Sequence, residues 1–251
     1  MNEFSNYLNE FNTYVRSFDS SNDEIKLKYD HSIRVMELSN KYAKLLGFNE
    51  EDVELATLIG LLHDIGRFEQ QKKYHTFIDK DSVDHADYSV ELLFDKKIIR
   101  NFTTKEEWYP IIEFAVKNHN KLDIPETKDE RILKHTRLIR DTDTPDILVA
   151  TSGTTVGDGS EVSVEIMDFL KRHFLADKRY MKTKSDFIVV QYIYAFGRYY
   201  DVILEEYKNN LIKFHESIKG NENLKEAYEE VIKYLDERID KYDGNRNEIQ
   251  S

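Results

Sequence analysis

Apolar residues recur along this chain at steps of three and four, the spacing of one helix face, rather than in the strict alternation of a half-buried strand. The first stripe, Phe4, Leu8, Phe11, Tyr14 and Val15, predicts a helix over about 3–18, followed by a polar turn over 19–23. A second helix runs from about Ile25 or Asp30 to Leu46 and stops at Gly47, a residue type suited to the left-handed conformation past a helix end. Asn49, followed by Glu50, Glu51 and Asp52, predicts the N-cap and acidic first turn of a third helix. Between Val53 and Ile65 that helix is apolar around most of its circumference, which predicts burial, and Gly66 is expected to end it. The mixed polarity of 67–83 predicts a loop over the helix end. Further helices are expected over about 83–95, 105–120, 129–142, 161–175, 184–206 and 222–241.

His63 and Asp64 interrupt the most apolar of these helices. A buried carboxylate costs several kcal/mol unless it is paired or bound to a metal, so this adjacent pair stands above an ordinary helix end. Other candidates continue apolar stripes. His31 shares a face with Val35, Leu38, Tyr42 and Leu45, and His119 follows Trp108, Ile112 and Ala115. Asp143 continues Ile132 and Ile139 by one turn, and His85 opens a helix carrying Ala86, Val90, Leu93 and Phe94 with its direction open. Singly, each has a bland alternative: a histidine hydrogen-bonded at a helix end, or, for Asp143, a helix C-terminal or turn residue within 141–146.

Composition narrows the classes. In 251 residues, 40% apolar and 12% aromatic content supplies a sizeable core, and only 9 Gly and 3 Pro favour an all-α architecture. No internal repeat or domain boundary stands out, which predicts a single all-helical domain over 1–251. With no Cys, any metal must be held by His and carboxylates, a composition that suits a reducing cytoplasm. The N-terminus has no basic stretch leading into an apolar one, and no run of about 18 apolar residues occurs, so a soluble cytoplasmic protein with no membrane partner is expected. A net charge of -12 disfavours non-specific nucleic acid binding but allows a small anionic substrate where local cations reverse the field. The glycines of 151–160 lack a following Lys in P-loop spacing, so a connecting loop is expected there.

The order His31, His63-Asp64, Asp143 resembles the HD-domain superfamily of metal-dependent phosphohydrolases, whose pattern is H…HD…D on an all-helical core. The likeness spans roughly 25–150 and is strongest over Leu61-Leu62-His63-Asp64-Ile65-Gly66-Arg67-Phe68. It implies an all-α HD-domain helical bundle, with 25–150 as the metal-binding core and 151–251 as a C-terminal helical extension. The last three helices, rich in Tyr and Lys/Glu, are themselves expected to serve as packing or homodimer surface. His31, His63, Asp64 and Asp143 would bind a first divalent metal. Asp143 is preferred because Thr142-Asp143-Thr144-Pro145-Asp146 is similar to the family's AD-x-x-D element, with Thr in place of Ala; Asp141 is the alternative. A subset of the family adds two histidines and a second metal bridged by the HD aspartate, and His85 and His119 lie in the matching order. The subset acting on cyclic dinucleotides has a His-His pair and a later Gly-Tyr-Pro. This chain has His119-Asn120 and no Gly-Tyr-Pro, which counts against a cyclic di-GMP phosphodiesterase.

Imidazole with carboxylate favours one or two ions of Fe, Mn, Co, Ni or Zn over Ca. Such an ion acidifies a bound water and polarises a phosphoryl oxygen, so Asp64 would act as ligand and orient the attacking hydroxide. Arg67 is expected on a substrate phosphate, with a helix-capping role as its alternative. Lys72, Lys73, His75, Lys117 and Lys121 read mainly as solvated charge, and His135, His173 and His215 as structural or surface residues. The resemblance thus implies hydrolysis of a phosphomonoester or phosphodiester in a small phosphorylated molecule, a nucleotide or related metabolite. A dinuclear-iron oxygenase and a non-catalytic nucleotide-sensing module are the alternatives.

Overall fold

The computed structural model describes residues 3–19, 21–218 and 222–250, with side chains over 5–19, 21–218 and 222–245. Met1, Asn2, Ser20 and the side chain of Phe4 lie outside the described residues. Among the described residues all regular structure is helical, as the periodicity predicts, and no helix is long and apolar enough to cross a membrane. Packing divides the chain into two compact units, Met1–Asp143 and Thr144–Ser251, where the sequence suggests one domain with a core over 25–150.

The first unit starts with α1 (Glu3–Val15) and α2 (Asp23–Leu45). Asn22 caps α2 by accepting from the backbone N–H groups of Glu24 and Ile25, and Gly47 follows it at φ 72°. His31, Val35 and Tyr42 are buried, whereas Leu45, in the last turn, is 60% exposed: the core ends before the expected stripe does. α3 (Glu50–Leu62) is capped by Asn49, which accepts from Asp52 N–H at 2.8 Å. α2 packs most extensively on α3. Gly60 permits this approach: a Cβ there would lie 2.6 Å from Ser39 Oγ and 2.9 Å from the Val35 carbonyl.

Two sequence expectations need correction at the end of α3. The helix stops at Leu62, so His63, Asp64 and Ile65 form a turn, and Gly66 opens rather than closes a helix. That helix, α4 (Gly66–Tyr74), occupies half of the expected loop. It buries Gly66, Phe68, Gln70 and Gln71, so its inner face is largely small or polar and leaves no apolar period to read. Gly66 has its own steric reason, since a Cβ would fall 2.7 Å from Ser89 N.

α5 (His85–Val90) continues into a π-turn, Glu91–Asp95, and is followed by α6 (Ile99–Phe102) and α7 (Tyr109–Asn118). α8 (Glu130–Thr151) corrects a third expectation: it continues past 142 with Pro145 inside it, so Asp143 is a helix-interior residue and not a turn residue. An interior proline costs about 3 kcal/mol in an isolated helix, so packing outweighs that local preference here. Phe11, Leu58, Phe68, Trp108 and Ile112 anchor the core of this unit.

Asp52 forms a buried ionic cluster in the same unit. It accepts from Arg131 Nε at 2.7 Å, Lys134 Nζ at 2.5 Å and His135 Nε2 at 3.0 Å. Burial holds the His135 pKa down to about 4, and burial likewise holds His85 down to about 3. Free histidine in the unfolded chain titrates near ~6.5. As pH falls below that value the unfolded state takes up protons that the folded state refuses, so stability is fully present above it and is lost toward the folded pKa values. Metal-free protein is therefore expected to show a lower urea midpoint at pH 5 than at pH 7.5. Equal midpoints would mean these imidazoles are protonated in the fold.

The second unit contains α9 (Val164–Lys171), α10 (Lys184–Ile193), α11 (Leu204–Ser217) and α12 (Lys225–Gln250). The helix expected over 184–206 ends at Ile193; 3-10 turns follow, and α11 is a separate element. Buried Asp186 explains the start of α10. It accepts from Ser163 N–H, Lys182 N–H and Thr183 N–H, and Thr183 completes a capping box. His173 contacts Glu230 at 2.8 Å, and His215 stacks on Tyr228 with ring centroids 3.9 Å apart; both sit in packing roles.

Candidate metal centre

Six residues, none more than 9% exposed, meet inside the first unit: His31 from α2, His63 and Asp64 from the turn after α3, His85 from the start of α5, His119 just past α7, and Asp143 from α8. They form two groups around Asp64. In the first, His31 Nε2 lies 3.2 Å from His63 Nε2, 3.2 Å from Asp143 Oδ1 and 3.5 Å from Asp64 Oδ2. His63 Nε2 lies 3.5 Å from Asp143 Oδ1 and 3.8 Å from Asp64 Oδ2. In the second, His85 Nε2 and His119 Nε2 are 3.1 Å apart and lie 3.5 and 3.6 Å from Asp64 Oδ1. The two oxygens of one carboxylate thus face different histidine pairs.

The backbone aims the rings. His63 Nδ1–H donates to the Gly60 carbonyl at 2.8 Å, and His119 Nδ1–H donates to the Val116 carbonyl at 2.7 Å. His85 Nδ1–H donates to Asp79 Oδ2 at 2.6 Å. In a neutral ring so anchored, Nε2 carries a lone pair and no proton. Burial keeps His63 and His85 below the usual histidine pKa. Burial would raise the Asp64 carboxyl, but Lys28 and the surrounding imidazoles hold it well below the usual carboxylate range. The Asp143 carboxyl is likewise depressed by imidazoles against the opposing effect of burial.

This arrangement passes a test of fit to metal. With both rings neutral, the Nδ1 anchors leave three acceptors converging at the second group with no proton between them, and buried Asp64 Oδ1 has no hydrogen-bond partner. A cation is what such a set lacks. Donor atoms bound to one transition metal at about 2.0–2.2 Å stand about 3.0–3.5 Å from one another, close to the spacings in both groups. The sets His31, His63, Asp64 and Asp64, His85, His119 each bring their ligand atoms within 4.8 Å, as does His63, His119, Asp143. None of the metal-competent groups among the described residues contains Asp141.

Arg67 is hydrogen-bonded within the protein and also faces Asp64. Its Nη1 donates to the Phe77 carbonyl at 2.7 Å, Asp79 Oδ1 at 2.9 Å and Gln70 Oε1 at 2.9 Å, while Nε stands 3.7 Å from Asp64 Oδ1. Its main contacts fasten the segment after α4. Lys28, which the sequence did not single out, donates from Nζ to Asp64 Oδ2 at 2.8 Å. A signal existed, since Lys28 precedes His31 by three residues and so shares its helix face. Asp79 was also missed, being a polar residue in a segment without periodicity. Lys121 reaches Asp84 at 2.7 Å, Lys72 is mostly exposed beside Glu69, and Lys117 is exposed.

Four imidazoles and two carboxylates gathered in a helical interior make up a set of side chains that could hold a metal. The family model of the HD domain matches residues 29–145, a span that contains all six cluster residues, and the chain carries an HD domain there. No curated protein and no solved structure matches the chain.

Proposed function

We propose that this protein is a metal-dependent phosphohydrolase acting on a phosphomonoester or phosphodiester of a small molecule, a nucleotide or related metabolite. The observation that carries the reading is the division of Asp64 between two histidine pairs, Oδ2 toward His31 and His63 and Oδ1 toward His85 and His119. His31, His63, Asp64 and Asp143 would hold one divalent ion, and Asp64, His85 and His119 a second. Bound there, the metal supplies Lewis acidity toward a phosphoryl oxygen and a water acidified toward neutral pH. The chain's own residues set the rest. Asp64 stays ionised beside Lys28, and the Nδ1 anchors keep the rings aimed inward. Lys28 and Arg67 lie on the two sides of Asp64, each 5.6 Å from the Phe77 ring, and provide the positive charge that an anionic ester requires.

The test is a screen of phosphomonoesters and phosphodiesters, nucleotides included, with protein stripped by chelator and reloaded with Mn, Fe, Co, Ni or Zn. Phosphate or alcohol release that requires the metal is expected. Oxygen consumption without ester cleavage, or nucleotide-induced thermal stabilisation without turnover by the loaded protein, would overturn the reading.

A further inference from the structure

His85 differs from the other two anchored histidines in what fixes it. His63 and His119 each donate Nδ1–H to a carbonyl three residues earlier, in the helix that precedes them. His85 donates instead to Asp79, which sits in the segment between α4 and α5, where the only regular structure is a single 3-10 turn, Asp79–Asp81. Asp79 is also held by Arg67 Nη1 at 2.9 Å and Gln70 Nε2 at 3.1 Å. Fully buried Gln70 in turn donates to Ser82 Oγ at 2.9 Å and to the Val83 carbonyl at 3.0 Å. The place of Asp79 therefore depends on this segment lying against α4.

Charge separates the two groups as well. The first has two carboxylates, Asp64 and Asp143, while the second has only its share of Asp64 and two imidazoles. Arg67 Nε adds positive charge 3.7 Å from Asp64 Oδ1, which opposes a cation there. Asp79 counters both deficits by pairing Arg67 and by placing a carboxylate on the far nitrogen of His85. A carboxylate in that position fixes ring orientation and raises the basicity of the ligating nitrogen; removing such a partner costs about 10–100-fold in metal affinity.

We propose that Asp79 is the positioning residue of a second, weaker and exchangeable metal position at Asp64 Oδ1, His85 and His119, whose occupancy is set by docking of the 77–83 segment. The proposal rests on the metal-binding part of the reading above. It adds that the two positions are unequal and names what controls the weaker one.

Equilibrium dialysis of the full chain against graded Co²⁺, with bound metal counted by plasma mass spectrometry, tests it. Wild type should fill in two steps. In Asp79→Asn and Asp79→Ala the weaker step should move to about 10–100-fold higher Co²⁺ while the tighter step stays in place. Asp79→Glu should recover part of the shift, and His119→Ala should lose the weaker step altogether. Circular dichroism and urea melts on each variant separate this from loss of folding. Two steps that superimpose on wild type in the Asp79 variants, or two steps displaced equally, would overturn the proposal. Two normal steps in a protein that cleaves no ester would leave it standing and remove the hydrolase reading. Wild-type protein that takes up one equivalent would overturn the proposal alone, and protein that takes up none would remove the metal centre as well.

Discussion

Asp64→Ala is expected to leave the protein without retained transition metal and without turnover, with its helical content intact. Asp64 offers Oδ2 to His31 and His63 and Oδ1 to His85 and His119. Its loss weakens both positions and removes one of the two carboxylates that offset cationic charge. Lys28 would also remain beside the centre without the carboxylate it contacts at 2.8 Å, adding repulsion where a cation must sit. The fold should survive because the apolar core surrounding Leu58, Phe68 and Trp108 does not depend on the carboxylate. Metal content by mass spectrometry, turnover and circular dichroism measured on one preparation check this. Wild-type turnover in an Asp64→Ala protein shown to be metal-free would end the proposed mechanism.

The second large effect is expected from Gly60→Ala, and its sign is diagnostic. By intrinsic helix propensity the substitution should stabilise α3 by about 0.8–1 kcal/mol. The added Cβ, however, would stand 2.6 Å from Ser39 Oγ, 2.9 Å from the Val35 carbonyl and 3.0 Å from Met36 Cα. Two of those three atoms are backbone and cannot rotate away, so α2 and α3 must separate. Forcing extra volume into such a contact costs about 1–3 kcal/mol, which exceeds the propensity gain. Because the Gly60 carbonyl accepts from His63 Nδ1, and His31 lies on α2, the same displacement should weaken metal retention. A urea midpoint below wild type, together with lower metal content, is the expected result. A midpoint above wild type would show that the helices tolerate the methyl group and that the close approach is not required.

Helical periodicity made the all-α class legible because its signal is summed over many residues. The Asn22 and Asn49 caps act within one turn of chain: Asn49 is legible as a cap in the sequence, and Asn22 lies in the polar turn expected ahead of α2. The same local chemistry failed where a helix buries polar atoms. α4 hides Gln70 and Gln71, and their partners come from residues that no local pattern identifies. α8 runs through Pro145 because packing can outweigh a local preference of a few kcal/mol.

Within the candidate site, the sequence by itself singles out the six residues that the fold gathers, since a buried carboxylate beside a histidine must be compensated and the HD pattern supplies the distant members. Tertiary structure alone decided which oxygen of Asp64 faces which histidine pair, which way His85 points, and that Lys28 and Asp79 touch the cluster. Those facts depend on angles between helices and on hydrogen bonds across tens of residues. A one-dimensional pattern fixes the face on which a side chain lies, but not what another helix brings to meet it.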